Sequence, residues 1–272
     1  LPRALMGLVG GFGLGIAGFV YQTVFRNPLA SPDIIGVSSG ASAGAAFAIL
    51  FVSAASPSTT VFAFIGGLLA VCLSLGLTAL SPAKEHASIV LAGIAVHALA
   101  QTFLMVLKLM ADPEKQLASI EYWIMGSLAG VTAAKIPVPI LIILVTSIAI
   151  LLLHRHVLAL SVREDEARML GVSVRATRFY VLFLATLTVA ATVSVTGLIS
   201  FIGLLAPHTA RLLTGDHKQS SCLLSGIIGS FLLPTADVLA KSLVTVELPV
   251  SIFTSLLGAP FLIFLILAGR RH

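Results

Sequence analysis

Long apolar runs separated by short polar breaks follow one another along the whole chain. Eight of these runs are about 20 residues long, the length that an α-helix needs to cross a bilayer. They cover residues 4–24, 34–54, 60–80, 87–110, 136–154, 177–199, 221–243 and 250–268. A ninth run, 200–213, is shorter and contains Pro207-His208. The pattern therefore predicts nine crossings, one of them by a broken helix.

The composition also indicates a membrane protein. Hydrophobic residues make up 58% of the 272 residues and charged residues only 10%, whereas soluble domains carry about 25% charged residues. So few charges cannot cover the surface of a soluble globule. The continuous apolar runs argue against a porin-type barrel, whose strands alternate in hydrophobicity. We therefore expect an all-α, polytopic transmembrane helical bundle, with residues 1–272 forming a single domain.

Basic residues set the expected orientation of this bundle. The longest polar insertion, 154–178, carries five arginines against three acidic residues, and the chain ends in Arg270-Arg271-His272. Loops rich in Lys and Arg stay in the cytoplasm, so both segments should lie there. Nine crossings satisfy both conditions and place Arg3 and Glu247 outside. The net charge of +5 is explained by topology and implies no nucleic-acid partner.

Glycine recurs at every fourth position in two of the predicted helices. The residues are Gly7, Gly11 and Gly15 in the first helix and Gly36, Gly40 and Gly44 in the second. Such stripes let two helix backbones approach closely. The second stripe overlaps a G-x-S-x-G pattern around Ser42, the nucleophile motif of serine hydrolases, which would need a preceding strand and a histidine such as His97 or His208. Because the pattern lies inside an apolar helix, we favour packing over an intramembrane serine protease.

The segment 161–171 has the signals of a short, capped helix. Ser161 and Glu164 have capping-box spacing, acidic residues fill the first turn, and Gly171 suits the left-handed position after the helix. A helix of about nine residues is not stable alone in water, so its apolar residues, Met169 among them, must pack against something. These residues could pack against the membrane helices of the protein itself or against a cytoplasmic partner. We favour the partner.

Several motifs together resemble the FecCD-type permeases, the membrane subunits of type II ABC importers for iron–siderophores, haem and cobalamin. The matching stretches are Asn27 to Asp33, Gly36 to Ala41, Leu91 to Gly93, Trp123 to Leu128, Glu164 to Val172, Gly197 to Gly215, Glu247 to Val250 and Gly258 to Phe261. They cover the whole chain in the order of the family, and 197–215 is the most specific. Family members have ten crossings, so we expect that one helix preceding Leu1 is missing from this sequence.

The resemblance implies a complex in which this chain is a gated conduit without catalytic residues, cofactor or metal of its own. Its partners would be a second permease subunit, identical or different, two cytoplasmic ABC ATPases, an extracytoplasmic binding protein and the lipid of a bacterial inner membrane. ATP and Mg²⁺ would bind to the ATPases, since the sequence has no G-x-x-x-x-G-K-[ST] loop. An iron–siderophore is the first expectation for the cargo, followed by haem and cobalamin.

The resemblance also places functional residues in three groups. A coupling segment, 161–172, would sit in a cleft of the ATPase, and basic residues on the outside would dock the binding protein. An inner gate in the turn 84–88 and the helix 87–110 would line the pathway. The coupling residues are Ser161, Glu164, Asp165, Ala167, Arg168, Leu170 and Gly171, the docking residues are Arg3 and Lys241, and the gate and pathway residues are His86, Ala87, Ser88, His97 and Gln101.

Each of these assignments has a plainer alternative. Lys241 is one helical turn from Asp237 and could pair with it, while His97 could be an internally hydrogen-bonded core histidine. For His208, satisfying groups at a helix break is favoured over a metal or haem ligand. An ion-coupled secondary transporter using Asp237 and Glu247 is the alternative function, but such proteins carry paired broken helices and the sequence predicts only one.

Overall fold

The computed structural model describes residues 1–52, 57–81, 85–162, 164–169, 171–215, 219–243 and 247–268, and their side chains except at 85–87, 164, 168 and 264–268. Twelve α-helices and one 3₁₀ turn, Pro32–Ile35, form the secondary structure of these residues, which confirms the all-α prediction. The helices are α1 (Pro2–Val24), α2 (Val37–Phe51), α3 (Ser58–Leu80), α4 (Glu85–Met110), α5 (Gln116–Ile124), α6 (Pro137–Leu152), α7 (His154–Ala159), α8 (Glu164–Met169), α9 (Val174–Thr196), α10 (Ile202–Thr214), α11 (Gln219–Ser242) and α12 (Val250–Ala268).

The longer helices have the dimensions of membrane spans. In the part of the chain that the structure describes, α1, α3, residues 88–110 of α4, α9 and α11 are long and apolar enough to cross a bilayer. Shorter apolar helices are α2, α6 and residues 250–263 of α12. This is the construction of a multi-pass membrane protein.

Two short helices, α5 and α7, were not predicted. Both have fewer than ten residues, too few to give a clear periodicity, so the sequence pattern placed them in loops or at the end of a span. In α5, Ile120 is fully buried and Trp123 packs against the same apolar cluster. Lys108 at the end of α4 pairs with Glu121 of α5 at 2.9 Å, so tertiary contacts, rather than local preference, hold this helix in place.

The two ends of the bundle differ in their charges. We call the end at which α1 ends and α9 begins the basic end, since Arg26, Arg155 and Arg175 lie there. Arg175 donates a hydrogen bond to the carbonyl of Ala79 at the end of α3 (3.0 Å), which brings α3 to the same end. The opposite end carries α5, the start of α1 and the end of α11.

The helix α1 is the central element of the bundle, and it packs against α9, α10 and α11. Its glycine stripe lies at the crossing with α11, where a Cβ on Gly11 would overlap the carbonyl oxygen of Gly229. The second stripe lies between α2 and α3, where Gly40 and Gly66 approach each other in the same way. Both stripes therefore serve close backbone packing, as predicted.

The structure also settles the role of Ser42 within the second stripe. This residue is buried inside α2, and its hydroxyl donates to the carbonyl of Ser38 one turn earlier (2.9 Å). A 3₁₀ turn and a helix, not a strand, precede it in the described residues. The nucleophilic serine of a serine hydrolase must follow a strand and be exposed at a sharp turn. Because Ser42 is buried inside a helix, the intramembrane serine protease alternative is wrong.

Among the residues that the structure describes, two helices begin in the middle of the bundle rather than at one of its ends. The first, α2, has 15 residues, and Gly36 just before it packs on Gly93 and His97 of α4. The second, α10, has 13 residues, and its Gly203 packs near Gly18 of α1. From there α2 runs towards the opposite end and α10 towards the basic end, so the two half-helices start close together and diverge.

The start of α2 corrects the sequence prediction of a continuous helix over 34–54. The chain forms the 3₁₀ turn, breaks at Gly36 with a φ of +84°, and becomes α-helical only at Val37. Glycine adopts this left-handed conformation without a steric penalty, and Pro28 and Pro32 just before it were the available signal. The described residues thus contain two broken segments, one before α2 and one before α10, and counting only one was an error. The break predicted at Pro207-His208 was also misplaced, because α10 runs from Ile202 to Thr214 with Pro207 inside it.

Candidate functional site

A cavity of about 260 Å³ lies between the starts of α2 and α10, and we call it the mid-bundle cavity. Ser31, Asp33 and Ser38 line it from the side of α2, and Ser200 and Phe201 from the side of α10. Hydroxyls and a carboxylate are thereby gathered in the middle of the bundle. Such convergent polar groups in a cavity at a helix break are typical of a binding or transport site.

Asp33 supplies the negative charge of the mid-bundle cavity. Its carboxylate accepts a hydrogen bond from the hydroxyl of Ser38, and it shares the cavity with the N-termini of α2 and α10, whose free N–H groups favour negative charge. Asp33 is exposed on the surface of the single chain. An ionisable residue at this depth normally faces a water-filled path or a partner helix. Asp33 and Ser38 were missed as site residues because the break before α2 was missed.

The predicted pathway residues of α4 lie beside this region. A Cβ on Gly36 would lie 3.3 Å from the backbone nitrogen of His97, so His97 adjoins the start of α2. His97 is exposed and Gln101, one turn later, is partly buried. The alternative of a buried core histidine is therefore wrong for His97. His97 thus lies beside the start of α2, but neither His97 nor Gln101 is among the residues that line the mid-bundle cavity, and their role in the pathway stays a prediction.

The predicted inner gate is only partly described. Ser88 is buried, and its hydroxyl lies 2.9 Å from that of Ser81. This contact joins the end of α3 to the first turns of α4 at the basic end, where a gate is expected. The side chains of His86 and Ala87, like the whole of residues 82–84, lie outside the described residues.

The predicted coupling helix is present as α8, although its start differs from the prediction. It begins at Glu164 rather than directly after Ser161, and the hydroxyl of Ser161 donates to the carbonyl of Leu158 (2.7 Å). Ser161 is therefore not the N-cap, because the capping residue must immediately precede the helix. The side chains of Glu164 and Arg168 and all of Leu170 lie outside the described residues.

The end of α8 follows the prediction. Gly171 has a φ of +76°, and the N–H of Val172 donates to the carbonyl of Ala167 at 3.2 Å, which is the six-to-one bond of a Schellman cap. Ala167 is buried, so it anchors the helix to the bundle. Asp165 and Met169 are exposed, and Met169 retains 83% of its accessible surface. The helix thus presents an apolar residue and acidic residues away from the bundle.

The predicted docking residues form a charge cluster at the opposite end. Arg3 binds Asp237 at 2.7 Å and Glu247 at 2.8 Å, and Lys241 binds the other oxygen of Asp237 at 3.1 Å. The alternative pairing of Lys241 with Asp237 is therefore present. Two cations and two carboxylates neutralise each other, and Lys241 remains partly exposed.

The histidines give no sign of a metal centre. In the described part of the chain, no three His, Cys, Asp or Glu side chains lie close enough to hold a metal ion. His208 packs edge-on against the ring of Phe261, with centroids 5.6 Å apart. This contact joins α10 to α12.

These features define a class of protein. Diverging half-helices that start at a polar cavity in mid-bundle, together with a short exposed helix at the basic end, are the parts of a membrane transport subunit. The chain belongs to the FecCD transport family, whose model matches residues 1–268. It is thus an ABC importer permease of the FecCD type.

Named relatives support the same conclusion. The hemin transport system permease protein HmuU of Yersinia pestis is 39% identical over 281 residues, which cover 100% of this chain and 83% of the relative. The cobalamin import system permease protein BtuC of Halobacterium salinarum is 35% identical, with 98% and 71% covered. The ferric enterobactin transport system permease protein FepG of Escherichia coli K12 is also 35% identical, with 100% and 82% covered.

A solved structure shares the fold closely. A metal-chelate type ABC transporter in an inward-facing conformation superposes with a TM-score of 0.90 at 34% identity, covering 98% of this chain and 86% of the other. The PsaBC structure from Streptococcus pneumoniae in complex with Fab matches with a TM-score of 0.65 at 18% identity, covering 97% and 89%, and shows similarity of fold alone. Because the chain belongs to a family of ABC importer permeases, the alternative function, an ion-coupled secondary transporter, is excluded.

Proposed function

We propose that this chain carries a ferric siderophore into the cytoplasm across a bacterial inner membrane, as one of two permease subunits. In this proposal the basic end is cytoplasmic, and two partner ATPases bind ATP and Mg²⁺ there. The relative that transports ferric enterobactin supports this class of cargo. The observation that carries the energy-coupling part is α8, a capped helix that is anchored by Ala167 and exposes Met169.

The helix α8 is suited to receive a mechanical input. A short helix fixed by a Schellman cap moves as a rigid unit, whereas an uncapped loop would deform under load. The exposed Met169 offers an adaptable apolar contact, and Asp165 adds charge beside it. We assign this surface to the cleft of the ATPase. Substituting Met169 by Asp should abolish association with the ATPase, whereas Met169→Leu keeps the volume and should preserve it.

At the opposite end, the proposal assigns Arg3 and Lys241 to the binding protein. Acidic residues of that partner would compete with Asp237 and Glu247 for the two cations. Exposed charges of this kind affect the association rate more than the final affinity. The double variant Arg3→Gln, Lys241→Gln should therefore slow association and reduce its dependence on salt.

Haem is the second candidate for the cargo, because HmuU, a relative that transports haemin, is 39% identical to this chain. Uptake of labelled ferric enterobactin, ferric citrate, haemin and cobalamin into proteoliposomes of the whole complex tests both candidates. We expect uptake of a ferric siderophore that persists with an ionophore and stops when the ATPase loses its Walker lysine. Uptake that the ionophore abolishes would contradict ATP-driven import, and exclusive uptake of haemin would replace the cargo.

A further inference from the structure

A cavity of about 540 Å³ lies beside α5 at the end of the bundle opposite the basic end, and we call it the α5 cavity. It is enclosed by the start of α3, by α5, by the segment before α6 and by the end of α9. Its lining combines Ser, Thr and Tyr hydroxyls with the ring of Trp123 and one cation, Lys135, and none of these lining residues is acidic. The α5 cavity shares no lining residue with the mid-bundle cavity.

Three hydrogen-bond donors that line the α5 cavity have no acceptor among the residues that the structure describes. They are the ammonium of Lys135, the hydroxyl of Thr60 and the indole N–H of Trp123. The hydroxyls of Ser119 and Ser194, in contrast, donate to carbonyls of their own helices. A lysine ammonium carries three donors and a positive charge. The α5 cavity therefore suits a negatively charged ligand that has several acceptor oxygens, such as a phosphate diester.

The α5 cavity lies at the level where the membrane spans end. The helix α3 begins at Ser58 and α9 ends at Thr196, and both are long and apolar enough to cross a bilayer. The ends of such helices reach the polar headgroup region. Tryptophan and tyrosine are enriched at this depth, and the long stem of a lysine lets its ammonium reach the polar groups there. Tyr122, Trp123 and Lys135 together are thus typical of a membrane interface.

Exposed apolar side chains continue from the α5 cavity towards the middle of the bundle. On α3, Val61 and Ile65 follow the cavity residue Thr60, and both are exposed. On α6, Val138 and Leu141 follow Lys135 and are exposed as well. Both helices pack against α9. Lipid tails are as apolar as leucine side chains, so acyl chains can cover these faces directly below a headgroup in the cavity.

We propose that the α5 cavity binds the headgroup of an anionic phospholipid, with the phosphate at Lys135 and the acyl chains along the exposed faces of α3 and α6. Thr60 and Trp123 donate to the remaining headgroup oxygens. A soluble anion would use the donors but leave the apolar faces uncovered, which is why the lipid fits better. Because the lipid contacts α3, α5 and the segment before α6, it fastens the short helix α5 to the bundle. Its binding does not depend on which cargo is transported.

The sequence supplies its own reporter for this site, because Trp123 is its only tryptophan. The purified chain in phosphatidylcholine vesicles would receive phosphatidylglycerol or phosphatidylcholine that carries the same nitroxide near the carboxyl end of one acyl chain. A nitroxide quenches indole fluorescence at short range, so quenching measures how much labelled lipid occupies the cavity. We expect labelled phosphatidylglycerol to reach half-maximal quenching at an about fivefold lower mole fraction than labelled phosphatidylcholine, the size expected for one lysine acting on an anionic lipid.

Matched variants test whether the α5 cavity, rather than the general surface charge, sets this preference. Lys135→Gln should bring the preference close to one, and Lys135→Arg should retain it. Thr60→Val keeps the volume of the side chain, removes one donor and should weaken the preference in part. The control is Lys115→Gln, because Lys115 is an exposed lysine at the same end that does not line the cavity. Phosphatidylglycerol should raise the melting temperature of the unaltered chain and of Lys115→Gln more than that of Lys135→Gln.

Three results would overturn the proposal. Equal quenching by the two lipids, or a preference that Lys135→Gln and Lys115→Gln lower to the same extent, would show that the cavity does not select a headgroup. Relief of the quenching by inorganic phosphate or citrate would assign the cavity to a soluble anion. Slower docking of the binding protein with Lys135→Gln, without any preference for phosphatidylglycerol in the unaltered chain, would assign Lys135 to that partner.

Discussion

The guanidinium of Arg3 lies 2.7 Å from the carboxylate of Asp237, and this ion pair ties the first turn of α1 to the last turns of α11. The two residues are 234 positions apart in the sequence. The side chain of Asp237 is only 8% exposed, while that of Glu247, the second partner of Arg3, is 47% exposed. The pair therefore fastens the central helix at the end where the binding protein is proposed to dock.

We expect Asp237→Asn to destabilise the protein by about 1–3 kcal/mol, because it leaves two cations without their shared, largely buried carboxylate. The matched variant Glu247→Gln should cost less than about 1 kcal/mol, since solvent screens that pair. Thermal unfolding of the purified chain in detergent measures both. Equal losses for the two variants would show that burial of Asp237 does not set the strength of the pair.

The crossing of α1 and α11 should not tolerate a side chain on Gly11. A Cβ there would overlap the carbonyl oxygen of Gly229, so Gly11→Ala must separate the helices and should cost about 1–3 kcal/mol. Gly76→Ala is the control, because nothing lies within 4 Å of a Cβ at that position and Ala favours a helix. The melting temperature should fall for the first variant and remain or rise for the second.

The left-handed backbone at Gly171 should matter for coupling. With a φ of +76° and open space around a Cβ, Gly171→Ala meets only a conformational penalty of about 1–2 kcal/mol. Gly171→Asn tolerates this conformation much better and serves as the control. ATP-driven uptake by the complex should fall with Ala and be largely retained with Asn. Loss of uptake with both variants would instead indicate that the space around residue 171 is filled by the ATPase.

Asp33 should affect passage of the cargo rather than folding. Asp33 is exposed, and its carboxylate accepts a hydrogen bond from the hydroxyl of Ser38, five residues further along the chain, so Asp33→Asn should leave the melting temperature unchanged. We expect uptake to fall about tenfold, which corresponds to about 1.4 kcal/mol on the rate-limiting barrier. Asp112→Asn, in a loop at the opposite end, is the control. Unchanged uptake with Asp33→Asn would remove Asp33 from the pathway.

Much of the site could be found from the sequence where the signals are local. The C-terminal cap of α8 depends on Gly171 and its immediate neighbours, and it was predicted correctly. The start of the same helix was placed too early, since Ser161 and Glu164 have the right spacing but the hydroxyl of Ser161 bonds to Leu158 instead. The spacing of a capping motif identifies a bond that can form, and here Ser161 makes a different bond, to the end of the preceding helix.

The sequence by itself determined that this chain is a helical membrane protein, where most of its helices lie, and which family it resembles. It could not determine that α2 begins halfway through the bundle, that Arg3 meets Asp237, or that a polar cavity lies between the starts of α2 and α10. The reason is physical: lipid and protein interior are equally apolar, so the hydrophobic pattern does not distinguish the helix faces that meet lipid from those that meet each other. The close backbone contacts of Gly36 with Gly93 and of Gly18 with Gly203 fix the depth at which α2 and α10 start.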